Sequence, residues 1–271
     1  NLRLWAVGNH PSAGGNANGG LLTGISAQNG DSSRFGRYIL GYTNVILCNS
    51  GITFGSRGFG GWLGFNSSNA PGESYAYFRN LANSGRQTRW SIADRTGAGN
   101  GASQNVSCEL DFSRGVVDAL VGTLTIGVNS QINGLSGKVA FGAGTIDVNT
   151  LQIGVQSAST GFAQGSLTVS NTGVLRVNTS GTLGGAVGSQ LPNYFARLIV
   201  TDGATAIFSN TAPIACGVGA RSEIYVANGS SLSVYTVGSS AAPLSYLQLS
   251  SSTLTVDRGT ASNPTTGGIL F

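Results

Sequence analysis

Lys138-Val-Ala-Phe-Gly-Ala-Gly-Thr-Ile-Asp-Val-Asn-Thr-Leu-Gln-Ile-Gly-Val-Gln-Ser157 is the stretch whose reading decides the fold. It echoes Cys108-Glu-Leu-Asp-Phe-Ser-Arg-Gly-Val-Val-Asp-Ala-Leu-Val-Gly-Thr-Leu-Thr-Ile-Gly-Val-Asn-Ser130, with offsets of 27–29 residues. Each copy reads apolar-x-apolar, a Gly turn, apolar-Asp-apolar, then Thr-Leu-x-Ile-Gly-Val-x-Ser. The first two arms recur at Leu167/Leu175, Leu198/Ala206, Ile224/Leu232 and Leu247/Leu254. Unit starts at 110, 139, 167, 198, 224 and 247 are spaced by 29, 28, 31, 26 and 23 residues. Val45-Ile-Leu47 with Ile52-Thr-Phe54 fits the same two-arm template upstream.

An apolar-x-apolar triplet points its ends to one side and its middle to the other. Short Gly- and Asn-bearing turns between triplets let the chain round a corner, because both residues tolerate positive φ. One such unit cannot bury its apolar side alone. Stacking units about 4.8 Å apart pairs every strand and closes a continuous core. Two aligned columns agree. Leu110, Val139, Leu167, Leu198, Ile224 and Leu247 are all aliphatic; Phe112, Phe141, Val169, Val200, Val226 and Leu249 are all apolar. The column between them, Asp111, Ala140, Thr168, Ile199, Tyr225 and Gln248, is mixed, as an outer face is. The expected fold is all-β, a β-solenoid wound as a parallel β-helix. A β-sandwich or jelly roll is the alternative.

The composition supports strands. The chain has 271 residues with 43 Gly, no Met and only 9% charged residues, well below the usual share of about 25%. Its 40% hydrophobic content argues against disorder. No apolar run reaches the roughly 20 residues of a membrane helix, so no membrane span is expected. No signal peptide opens the sequence, so a processed mature form or a fragment is expected. Three widely spaced cysteines, at 48, 108 and 216, read as small buried hydrophobes. One disulfide plus a free thiol is the alternative.

Charge and aromatics divide the chain. Residues 1–100 hold eight Arg and three acids, and 12 of the 22 aromatics. The rest is near neutral and rich in Val, Thr, Ser and Gly. Three regions are expected: 1–106, an aromatic and Arg-rich cap or set of irregular rungs; 107–258, a solenoid of about six rungs; and 259–271, a C-terminal tail or strand.

The pattern Gly165-Ser-Leu-Thr-Val-Ser-Asn-Thr-Gly-Val-Leu-Arg-Val177 resembles the β-strand repeats of bacterial autotransporter passengers and related large surface proteins. The resemblance covers about 107–258. It implies export, a right-handed β-helix, and adhesive or structural roles.

Catalytic motifs are scarce. The single His10 sits in a Gly/Asn-rich stretch and leaves no basis for a His-rich metal centre. No nucleophile elbow, phosphate loop, dinucleotide fingerprint or Ca²⁺ nonapeptide repeat is present. No cofactor is expected. Asp118 and Asp147 hold the same repeat position, which Arg176 takes next. Stacked about 5 Å apart, they form a surface charge ladder with Arg176. The same pair is the one acid/base candidate for a polysaccharide lyase or hydrolase. Trp62, Trp90, Tyr75, Tyr77 and Arg79 are candidate glycan contacts, since aromatics stack on sugars and Arg supplies charge. No concentrated basic patch suggests nucleic acid. Leu2, Leu4 and Trp5, with Ile269, Leu270 and Phe271, are apolar terminal segments suited to pairing with a neighbouring copy. The expected function is a non-enzymatic extracellular or cell-surface structural protein, self-associating end to end into a fibre or forming part of a longer stalk. A glycan-binding adhesin is the alternative.

Overall fold

The computed structural model describes residues 2–5, 21–23, 35–54, 60–94, 106–128, 134–156, 161–185, 194–209, 211–217, 221–256 and 268–269. Every strand pairing among them is parallel. The protein is therefore a β-solenoid. A sandwich or jelly roll requires antiparallel neighbours.

The chain winds through three stacked ladders, here called sides one, two and three. The first rung contributes Leu2–Trp5 to side two and Leu21–Thr23 to side three. The second holds Phe35–Leu40, Thr43–Leu47 and Gly51–Phe54; the third holds Gly60–Phe65, Ser74–Arg79 and Gln87–Asp94. In rungs four to six one strand bends round all three sides: Val106–Val128, Leu135–Ile153 and Ala163–Leu183. Rung seven is Phe195–Val200, Thr205–Phe208 and Ile214–Cys216; rung eight is Arg221–Ala227, Ser231–Val234 and Thr236–Val237. Rung nine is Tyr246–Ser250, Thr253–Val256 and Gly268–Ile269.

Both expected aliphatic columns stack in register. Val139 pairs with Leu110 and Leu167, which continues to Leu198, Ile224 and Leu247. Phe141, with its partners Phe112 and Val169, is fully buried. Side two adds Ile46, Phe78, Ala119, Ile146, Leu175, Ala206, Leu232 and Leu254. Side three adds Ile52, Trp90, Leu124 and Leu151. Full burial of each such side chain contributes about 1.5–3 kcal/mol, so stacking drives the fold.

The upstream template sits one side later than its resemblance to the repeat suggests. Thr43–Leu47 and Gly51–Phe54 occupy sides two and three, while Phe35–Leu40 takes side one. Residues 60–94 pair with Val106–Val128 on all three sides, so the sheet runs through the composition boundary without a break.

Corner glycines shape the third turn. Gly127, Gly154 and Gly184 follow side three in successive rungs, all with positive φ. At Gly127 a Cβ would collide with the Gln164 carbonyl oxygen. In the third rung Ala93 takes the matching place with φ 55°. At the first corner Asn171, Asp202, Asn228 and Ser251 hold φ between 48° and 58°, a conformation Asn and Asp tolerate best among side-chain-bearing residues. All three cysteines are buried and form no disulfide.

Candidate functional site

With the strand interiors facing the core, function is left to the outer faces. On side two the outward residues of the third rung are Tyr75, Tyr77 and Arg79, spaced by two along one strand. Tyr77 registers against Asp118 of the fourth rung. Arg79 donates to the Asp118 carboxylate at 2.7 Å and to the Asp118 backbone carbonyl at 3.0 Å. The Arg79 guanidinium lies 4.2 Å from the Tyr77 ring centre, covering one face of that ring. Only 11% of the Arg79 side chain is exposed, against 38% for Asp118. Tyr75 and Tyr77 are near parallel, 26° apart, with centroids 6.5 Å apart. Burial, and then the neighbouring Asp118 charge, raise the Tyr75 phenol above its ordinary value of 10.0.

A second clamp lies beside the first. Arg86, from the corner after side two, donates to the Asp147 carboxylate at 2.8 Å and to its backbone carbonyl. It also reaches the Val121 carbonyl at 3.3 Å, so one guanidinium ties rungs three, four and five together. Asn178 donates to the same Asp147 carboxylate from rung six, at 2.6 Å.

These contacts revise the expected charge ladder. Asp147 does register against Arg176, but Asp118 registers against Thr145, and Asp147 against Leu120. The two aspartates are two positions out of step. Each carboxylate is instead held by an Arg from the third rung. The continuous outward polar column runs on side one: Arg37, Trp62, Glu109, Lys138, Ser166, Arg197, Glu223 and Tyr246.

The glycan candidates separate. Trp90 is fully buried in the core, so it contacts no ligand. Its indole nitrogen donates to Gln87 Oε1 at 2.6 Å. Trp62 lies on the outer face of side one, with one ring edge over the bare Cα of Gly64 and the Arg37 guanidinium 4.8 Å from its centre. Tyr75, Tyr77 and Arg79 do share one patch.

Sequence reasoning passed over a third cluster. Glu223, 1% exposed, is held by Arg197 at 2.6 Å and Arg221 at 3.2 Å, and accepts from the Tyr225 hydroxyl at 3.0 Å. Arg197 covers the Phe195 ring at 4.0 Å. The opposite charges at 197 and 223, in neighbouring repeats, are the signal that could have found it.

At the ends, Leu2–Trp5 and Gly268–Ile269 form strands of the first and ninth rungs. Leu270, Phe271 and His10 lie outside the described residues. Among the described residues no group of three His, Cys, Asp or Glu could hold a metal ion, and no helix is long and apolar enough to cross a membrane. No family model, curated protein or solved structure matches the chain.

Proposed function

We propose that this protein is a non-enzymatic, extracellular structural or surface rod that associates end to end. One observation carries the reading. Leu249 is 48% exposed in the column where Val226, one rung earlier, is fully buried. Leu247, Leu254, Val256 and Ile269 of the same rung are only partly covered. Among the described residues, the far edges of Tyr246–Ser250 and Thr253–Val256 meet no further strand. A strand edge and an apolar column ending together favour addition of another rung in the same register. At the other end Tyr38 and Ile39 of Phe35–Leu40 are exposed. The paired carboxylates support a non-enzymatic role, and the resemblance to exported surface repeats supports the location.

Light scattering on a size-exclusion column, with negative-stain imaging, tests this. The expected result is rods whose lengths are multiples of one subunit. Leu249→Glu returns single subunits of unchanged thermal stability. Wild-type protein that stays a single subunit at high concentration sinks the reading.

Glycan binding is the second reading. The clustering of Tyr75, Tyr77 and Arg79 on one outer face favours it.

A further inference from the structure

We infer that the outer face of side two at rungs three and four is a binding site for a neutral hexose glycan, formed by Tyr75, Tyr77 and Asp118, with Arg79 as the group that positions them. The inference rests on the glycan-binding reading and gives it a place and a ligand class.

Three features converge on a sugar. The first is aromatic surface. Tyr75 and Tyr77 stand side by side on the outer face, both partly exposed, with Arg79 on one face of Tyr77. The stacked pair Phe162 and Tyr194, at 4.0 Å and 4°, shows what mutual cover looks like in this molecule. A pyranose presents a patch of C–H groups with partial positive charge, which suits the negative face of a tyrosine ring. The second is a fixed acceptor. Asp118 is held by Arg79 through side chain and backbone, yet 38% of its side chain stays exposed. A carboxylate can accept from two sugar hydroxyls at once. The third is rigidity. Tyr75 and Tyr77 project from one strand, paired with Thr43–Leu47 above and Val106–Val128 below, so little ordering is needed on binding.

Charge selects the class. Arg79 and Arg86 are each bound to a carboxylate, so the patch offers no uncommitted cation to a uronate, a sialate or a phosphodiester. Asp118 repels such anions further. A neutral hexose meets neither obstacle. The surface is open, so a single contact is weak. End-to-end association would repeat the patch along a rod and raise retention through multivalency.

The test is retention of wild-type protein on immobilised β-glucan, β-galactan and α-mannan, with polygalacturonate, alginate and single-stranded DNA as charged comparators. Tyr77→Ala and Asp118→Asn are run beside it, with circular dichroism checking that each still folds. The expected result is retention on at least one neutral polymer and none on the charged ones. Tyr77→Ala then loses about ten-fold or more, the change that ~1.4 kcal/mol makes, and Asp118→Asn loses less. Neutral glycan retained equally by wild type and folded Tyr77→Ala overturns the site while leaving the glycan-binding reading intact. Wild type that retains none of the neutral polymers overturns both. Preference for the charged polymers or DNA overturns the ligand class.

Discussion

Rung three and rungs six to eight follow one path, yet fill it differently. In rung three one aromatic from each side, Phe65, Phe78 and Trp90, meets in the middle. Phe78 and Trp90 pack edge to face at 4.8 Å, and Phe112 of rung four lies 5.7 Å from both Phe65 and Phe78. Phe141 keeps a ring in rung five; from rung six on, the same columns hold Val169, Val200 and Val226, then Leu175, Ala206 and Leu232, and then Gly181, Ile214 and Val237. Rung three also buries a polar side chain in its core. Gln87 sits in register with Val121 and is fully buried; its amide donates to the carbonyls of Ile46 and Arg79. The comparison teaches that a solenoid's register is set by backbone pairing, while each rung can choose its own filling. A shift in composition is then a change of filling rather than a domain boundary.

The sharpest way to break this comparison is at Trp90. Trp90→Ala removes the largest fully buried side chain and takes the indole donor from Gln87 Oε1. The expected loss is about 3–5 kcal/mol, read from urea unfolding. Leu124→Ala, one rung later in the same column, should cost less. If the leucine variant loses more, the aromatic cluster is not what holds the front together.

The sequence disclosed side one almost completely. Leu110 to Leu247 and Phe112 to Leu249 could be aligned because period-two triplets between glycine turns leave little freedom. Counting failed at the first corner. From Phe112 to Asp118 and from Phe141 to Asp147 are equal steps in sequence, which made the aspartates look aligned. In space Phe141 and Phe112 pair, then Ala143 pairs with Val116. Rung four spends two extra residues on the corner, and the offset drops from 29 to 27 there. Trp90 was misread for another reason. Strand alternation sends Trp90 inward and Arg89 outward. Arg86 and Asn178 left no trace, since they act from corners whose reach only the stacked rungs define. The Tyr75, Tyr77 and Arg79 patch was legible, because residues spaced by two on one strand share a face.

The corners offer a second, smaller contrast. Gly127 and Ala93 hold matching places in adjacent rungs, both at positive φ. Gly127→Ala should cost about 2–3 kcal/mol, from the left-handed backbone and the clash with Gln164. Ala93→Gly should be near neutral. Relief of roughly 1–2 kcal/mol of backbone strain is offset by ~0.8 kcal/mol of lost methyl burial and about 0.5–1 kcal/mol of added chain entropy. Equal losses in thermal unfolding of the two variants would mean that the corner tolerates side chains and that glycine there is incidental.

The smallest expected effect separates the two regions by pH. Burial pushes the Cys216 thiol of rung seven from 9.0 up to about 11. The unfolded chain therefore releases this proton first. The stability it contributes is complete below pH 9 and is lost as pH rises from 9 to about 11. Burial also raises the phenols of Tyr75 in the front and Tyr225 in the back, but from an ordinary value of 10.0, so their losses begin later. Between pH 9 and 10 the urea midpoint of wild type should fall, and Cys216→Ala should flatten that fall while leaving the one above 10. An unchanged slope between 9 and 10 in Cys216→Ala would show that the thiol is already ionising in the folded rod. The back rungs would then open to solvent more readily than their buried columns imply.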